Sequence, residues 1–305
     1  MKTIHALLNT SLLAAAIALA GIGSAHAADA QQKTFATPDA AADALAKAAR
    51  AGDENALAEI LGPSWKDTLS SGDAAIDAAE LEAFVAKFDR MHRWTALTNG
   101  SEVLNVGADN YPYPIPLAKS GGTWHFDAAA GMREVAVRHI GANELLALDA
   151  VDVIAGAEEA YRANAKEGEI ETYATQIFSS DGQRDGLYWA VAANEEPSPL
   201  AELGEVIEDR EAMKAPLVLD GYTFRILAAQ GASAKGGAKS YVKNGRMTEG
   251  FAVLATPVDY GTSGIASFLR GADGVVYEKD LGADTAKVAA TINAYEPGDG
   301  WKSVE

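Results

Sequence analysis

The densest run of chemically capable side chains is Arg138-His139-Ile140-Gly141-Ala142-Asn143-Glu144. An imidazole and a carboxylate this close in sequence could exchange protons, which makes His139 and Glu144 candidates for an acid–base pair. A polymer hydrolase needs two carboxyl groups roughly 5–10 Å apart, and Asp181, Asp185 and Glu144 are the acids available for that role. The cluster also has a structural reading. Glu134 precedes Arg138 by four residues, the spacing of a helical ion pair, and Arg138 with Asn143 would brace a helix end against a sheet. As ligand-binding groups, Arg138 and Asn143 stand beside the catalytic candidates.

Asp181-Gly-Gln-Arg-Asp185-Gly186 puts two carboxylates in a glycine-rich loop. Calcium takes oxygen ligands at such spacing, but a complete calcium loop carries a third acid and a distal Glu. Asp181 and Asp185 are therefore either ligands of a calcium-stabilised scaffold or plain turn residues. Tyr188 and Trp189 follow the loop and would either stack on a sugar or peptide or belong to the core. Gln230–Gly237 is a second glycine-rich loop with one cation, Lys235. Its backbone N–H groups could cradle an anion. Thr262-Ser263-Gly264 offers a hydroxyl in a tight turn, but no histidine lies near it in sequence to serve as base.

Other chemistries are absent from the chain. There is no G-x-S-x-G, K-T-G or G-x-x-x-x-G-K-[ST]. Of the histidines, His92, His125 and His139 lie beyond residue 27, with no H-E-x-x-H and no close pair, so a catalytic zinc is not expected. The absence of cysteine excludes thiolate nucleophiles, disulfides and Cys-ligated metals. No cofactor is expected.

Several elements must position these groups. Thr37-Pro38 opens a helix that runs to about Ala51, since Thr can cap and Pro suits the first helical position. Asp53 caps a short helix that Gly62-Pro63 ends. The spacing of Leu81, Phe84, Val85, Phe88, Met91 and His92 predicts a helix over Asp77–Arg93, with Asp77 as cap and Glu80 completing a capping box. Strands are expected at Trp94–Leu97 and Glu102–Val106. Tyr111–Leu117 carries three prolines and must be an edge or polyproline segment. Thr123–Asp127 alternates as a strand, with Trp124 and Phe126 on one face and His125 on the other. Gly131–Ala165 reads as helix, with Leu145, Leu148, Val151, Ile154, Ala155 and Tyr161 on its apolar face.

Beyond Glu167-Gly168 the pattern becomes a meander. Asp220-Gly221, Asn244-Gly245 and Asp273-Gly274 are hairpin signals between alternating segments. One face of that sheet is expected to be buried, with a helix before it over Leu203–Met213 and another after it over Asp284–Ala294. The fold class is thus α+β, with helices packed on antiparallel sheets and a C-terminal β-meander with flanking helices. The expected organisation is 1–27, 28–166 and 167–305.

Acidic residues outnumber basic ones 43 to 25, a net charge of −18 over 305 residues. Phosphate backbones and anionic membrane surfaces would repel such a chain, so nucleic acid is not an expected partner. Met1–Ala27 has the features of a secretory signal: Lys2, an apolar Ala6–Ile22 stretch, and Ala25-His26-Ala27 as cleavage site. The stretch is too alanine-rich to make a good span, so no membrane span is expected after cleavage at Ala28. The expected location is periplasmic or secreted. The missing catalytic signatures, set against abundant turn and aromatic residues, point to a non-enzymatic binding or structural module that meets an envelope protein or polymer. A hydrolase of an envelope polymer and a calcium-stabilised scaffold are the alternatives.

One set of residues resembles a known family. It comprises Gly221-Tyr-x-Phe-Arg-Ile-Leu227, Gln230-Gly231, Gly236-Gly237-Ala238, Asn244-Gly245, Gly250-Phe251, Tyr260-Gly261 and Asp280-Leu-Gly282. Asp185-Gly-Leu-Tyr-Trp189, Pro114-Ile-Pro-Leu117, Trp124-x-Phe-Asp127 and Arg138-x-Ile-Gly-x-Asn-Glu144 extend it. The pattern is similar to an uncharacterised bacterial family, domain-of-unknown-function family 2950, over nearly the whole chain after residue 27. His139 departs from it, since the family pattern would have a second basic residue there. The resemblance implies an exported bacterial protein and brings no activity. Gly250-Phe251, Pro257, Tyr260-Gly261, Phe268 and Asp273-Gly274-Val275 also resemble pilin-type globular modules, which would imply a helix-supported antiparallel sheet used for assembly or partner contacts.

Overall fold

The computed structural model describes residues 32–63, 65–165, 169–191, 195–203, 216–298 and 300–304. The expected signal at Met1–Ala27, the helix expected over Leu203–Met213 (beyond Leu203) and the break at Glu167-Gly168 lie outside them. The chain forms two compact units that divide between Arg138 and His139.

The first unit begins with α1 (Pro38–Ala51), α2 (Glu54–Leu61), α3 (Trp65–Leu69) and α4 (Ala74–Arg90). Local chemistry starts each of the first two. The Ala40 N–H donates to Thr37 Oγ1 at 3.2 Å and Pro38 opens the helix, while the Ala56 N–H donates to Asp53 Oδ1 at 3.0 Å. α4 starts one turn earlier than its apolar spacing suggests. Its cap is Asp73, whose Oδ1 accepts the N–H groups of Ala75 and Ile76 at 2.8 and 3.3 Å. Asp77 instead reaches back and accepts from the Ser71 N–H and Ser71 Oγ, both at 2.7 Å. α4 also ends sooner, because Met91 is extended (φ −170°) and His92 already pairs with Val106 in a strand. The predicted stripe therefore stops at Phe88; Met91 is exposed and His92 lies stacked on the Phe88 ring at 3.9 Å.

The helices cover an antiparallel sheet of β1 (His92–Ala96), β2 (Glu102–Val106), β3 (Tyr111–Pro112), β4 (Leu117–Ser120) and β5 (Thr123–Phe126). The proline-rich segment contributes only the two-residue β3 at the β2 edge, as missing N–H donors dictate. Leu104, Ile115, Leu117 and Phe126 are fully buried with Leu45, Leu57 and Leu61 of the helices.

α5 (Ala128–Ala163) runs 36 residues through the division. It starts three residues before the expected point because Asp127 Oδ1 accepts the Ala130 N–H at 2.9 Å. In the second unit its buried stripe is Ala147, Val151, Ile154, Ala155 and Glu158. Leu145 is not on it and is 58 % exposed, since two residues short of Ala147 is the opposite side of a helix.

The second unit is built on a six-stranded antiparallel sheet, ordered β17-β16-β15-β14-β9-β8, each strand beside its neighbour in sequence apart from one excursion. Its strands are β8 (Leu217–Leu219), β9 (Tyr222–Leu227), β14 (Ala252–Pro257), β15 (Ala266–Gly271), β16 (Val276–Asp280) and β17 (Lys302–Ser303). The excursion between β9 and β14 holds β10 (Ala229–Gln230) with β11 (Lys239–Ser240), and β12 (Val242–Lys243) with β13 (Arg246–Met247). Asp220-Gly221 and Asn244-Gly245 are two-residue hairpin turns, with φ positive at all four positions (47°, 76°, 53°, 76°). Asp273-Gly274 sits in a longer loop where, of the two, only Gly274 has positive φ (83°).

Expectation and structure differ at three further points. Ala252–Ala255 of β14 are all buried, so the central strand is covered on both faces rather than one. α6 (Thr285–Thr291) lies across this sheet and is shorter than Asp284–Ala294. Asp284 holds its N-cap position without a side-chain cap bond and pairs with Lys287 at 2.7 Å instead. Finally, β6 (Gln176–Phe178) and β7 (Gly186–Tyr188) form a parallel pair, enclosing the Asp181–Asp185 loop. Composition is 35 % helix and 26 % strand, an α+β fold.

Candidate functional site

The polar cluster divides with the units. In the first, Arg138 Nε donates to Glu134 Oε1 at 2.8 Å and Nη1 donates to the Pro112 carbonyl at 2.9 Å. The guanidinium also lies 5.5 Å from the Tyr111 ring centroid. Arg138 thereby ties its helix to the edge strand β3.

In the second unit, Asn143 is buried and its Nδ2 donates to the Ser263 carbonyl at 2.9 Å. The same nitrogen lies 3.2 Å from His139 Nε2. Glu144 Oε1 accepts the backbone N–H groups of Ile265 and Ala266 at 3.0 and 2.9 Å. The Ala266 carbonyl in turn accepts the hydroxyl of the fully buried Tyr222 at 2.8 Å. Burial, then the charge of Glu144, push the Tyr222 phenol well above its ordinary value. Ser263 Oγ donates to the Asp259 carbonyl at 3.1 Å and accepts the Asp259 N–H at 3.0 Å, which closes the 259–264 turn. His139 and Glu144 share no hydrogen bond among the described residues.

Asp185 accepts the Ser180 N–H and Ser180 hydroxyl, both at 2.8 Å. Partial burial works against its charge, but these hydrogen bonds prevail and hold the carboxyl below its ordinary range. Asp181 is exposed in the turn. Among the described residues no group of three or more His, Asp or Glu lies together as a metal cage would need. Tyr188 packs edge-on against Phe178 at 6.1 Å, and Trp189 against Tyr161 at 6.4 Å with the Arg184 guanidinium 5.4 Å from the indole. The Trp189 Nε1 is buried without a partner.

Lys235 stands on a cleft of about 170 Å³ that only its own loop signals in the sequence. Gln230 anchors the loop, its Nε2 donating to the carbonyls of Lys235 and Gly237 at 2.9 and 2.7 Å. Tyr241 and Tyr295 form apolar walls and are both buried. The Tyr295 hydroxyl meets both oxygens of Asp273, at 3.0 and 3.2 Å. Burial, then Asp273, raise the Tyr295 phenol strongly, and the same two causes push Tyr241 up to about 12. Gly271 makes this approach possible, since a Cβ there would lie 2.8 Å from the Tyr295 ring.

Glu158 was not singled out by sequence reasoning. It is 0 % exposed, with Oε2 accepting the Ala174 N–H at 2.8 Å and Oε1 unpartnered. Burial pushes its carboxyl up to about 8. Its signal in the sequence is an acid at position i+3 from Ala155 and i+4 from Ile154, on the stripe that should be apolar.

Residues 32–304 match the model of the family described as "Protein of unknown function (DUF2950)". No curated protein and no solved structure matches the chain.

Proposed function

We propose, for a chain that belongs to the DUF2950 family of proteins of unknown function, a non-enzymatic binding or structural role in the bacterial cell envelope after export. The observation that carries this reading is the use made of Glu144. Its Oε1 holds two backbone amides of the chain's own sheet, an arrangement that suits a scaffold and leaves that oxygen little freedom to move protons. Asp185 likewise accepts from Ser180. The export half of the proposal rests on the Met1–Ala27 pattern. No helix among the described residues is long and apolar enough to cross a membrane.

Cell fractionation with N-terminal sequencing tests export. A chain beginning at Ala28 in the periplasm or medium supports it, and an intact Met1 confined to the cytoplasm overturns it. Incubation of the purified protein with isolated envelope polymer tests the other half. Release of soluble fragments by the wild type, lost in Glu144→Gln or Asp185→Asn, would establish a hydrolase instead. No release, together with one stoichiometric cross-linked envelope partner, supports the binding role.

A further inference from the structure

The cleft beside Lys235 has an unusual charge layout. Lys235, Lys239 and Glu249 line it from the excursion between β9 and β14, and Asp273 lines it from the loop between β15 and β16. None of these four ion-pairs with another. Lys239 Nζ lies 5.6 Å from the Tyr241 ring centroid and donates to the Glu249 backbone carbonyl at 3.2 Å. Glu249 meets Lys243 at 3.7 Å instead. Asp273 accepts from the Tyr295 hydroxyl and, weakly, from the Val275 N–H at 3.3 Å. The Lys235 ammonium has no partner among the described residues.

Opposite charges that share a small cleft lined by buried aromatic rings would gain by pairing. The Tyr295 segment is stitched to the loop by Tyr295 N–H to Ala229 O at 2.9 Å and Gly231 N–H to Tyr295 O at 2.8 Å. The Ser233 N–H donates to Glu296 at 2.6 Å. These bonds hold Tyr295, and through its hydroxyl Asp273, against the loop that carries Lys235.

We propose that this cleft binds a small zwitterion, an α-amino acid or a dipeptide, with its carboxylate toward Lys235 and its ammonium toward Asp273. The inference deepens the binding reading and rests on it, but not on where the protein resides. Its size fits: about 170 Å³ holds a few waters' worth of volume, well below the 300–1,000 Å³ typical of drug-sized ligands. Asp273 retains free lone pairs after Tyr295, because a carboxylate offers about four acceptor sites. A lysine ammonium is a compact point charge suited to a carboxylate approaching from any direction.

The test is an NMR titration of the full chain with glycine and glycylglycine, beside acetate and methylammonium as singly charged controls. Saturable shifts are expected at the amides of Gly231–Lys239, Gly250 and Ala272–Gly274 with a zwitterion, and weaker binding by about tenfold or more with either control. Lys235→Ala, an exposed loop change that leaves the fold intact, weakens zwitterion binding about tenfold, and Asp273→Asn does the same from the other side. Absence of saturable shifts, equal binding of acetate, or unchanged affinity in Lys235→Ala would each overturn the proposal. Because the purified chain is used, a failure here leaves the export result and the envelope partner standing, and a cytoplasmic location leaves this site standing.

Discussion

Glu144 accepts the backbone N–H of Ala266 at 2.9 Å, across 122 residues of sequence. A helix side chain thereby takes the place a neighbouring strand would fill at the start of β15. The carbonyl of the same residue is held by the Tyr222 hydroxyl at 2.8 Å. Ala266 is gripped on both sides of its backbone, and the strand enters the sheet in a fixed register.

A substitution series separates this bracing role from a chemical one. Glu144→Ala removes the acceptor of two amides and should destabilise the second unit by about 1–3 kcal/mol, the cost of leaving such groups unmade. Glu144→Gln keeps an oxygen in place and should cost less than about 1 kcal/mol. Urea denaturation of both variants decides it. Equal losses would mean that the oxygen is not what matters at this position.

The helix starts show how far local chemistry carries. Thr37-Pro38 and Asp53 announce α1 and α2, because capping depends on residues within one turn. Asp73 and Asp77 are a harder case, since both are acids before an apolar run. Only the competing serines at 70 and 71 decide that Asp77 turns backward. The two-residue turns at 220 and 244 are legible for the same local reason, while the Asp273 loop is less so, because the Asp273 carboxylate is held by the Tyr295 hydroxyl, 22 residues further along. The cleft is less legible still. Lys235 is visible as a lone cation among glycines, but Lys239, Glu249, Asp273 and Tyr295 come together through tertiary contacts, among them the parallel contact of residues 230 and 295.

The two caps can be told apart by measurement. Asp73→Ala should lower stability by about 1 kcal/mol, the usual value of a side-chain N-cap. Asp77→Ala loses bonds at an exposed turn, where Asp77 is held below its ordinary pKa first by the Ser70 and Ser71 hydroxyls. Its effect should fade as pH falls through the acid range in which Asp77 takes up a proton. Chemical denaturation at pH 7 and at pH 3 checks both; an Asp77→Ala loss that persists unchanged at pH 3 would contradict the assignment.

Two glycines in equivalent turns should respond differently. Gly221 and Gly245 both have φ of 76°, so alanine at either meets the left-handed penalty of roughly 1–2 kcal/mol. Nothing lies within 4 Å of a Cβ at Gly245. At Gly221 a Cβ would stand 2.7 Å from Ser263 Cβ and 3.2 Å from Asn143 Nδ2. Gly221→Ala should therefore cost about 1 kcal/mol or more beyond Gly245→Ala, since the packing there must shift. Equal costs from equilibrium unfolding would show that the 259–264 turn yields freely.

Glu158 should dominate the pH dependence of stability between about pH 4.5 and 8. In the unfolded chain a glutamate has a pKa near 4.5, whereas in the fold burial raises Glu158 to about 8, against the Ala174 hydrogen bond and with help from Glu159. Between those values the native state keeps a proton that the unfolded chain has released. The stabilisation is therefore complete below about 4.5 and is lost as pH rises through about 8, by at most roughly 1.4 kcal/mol per pH unit. The neighbouring phenols do not mimic this, because Tyr161 and Tyr173 are both raised above 10, chiefly by burial. Carboxylates held low, such as Asp185 and Glu296, act with the opposite sign and only in acid. Glu158→Gln keeps the shape without the titration, so its unfolding free energy should stay flatter between pH 5 and 8 and exceed the wild type's at about pH 9. Parallel pH profiles for the two proteins would mean that Glu158 is already ionised in the fold, with its Oε1 satisfied by water.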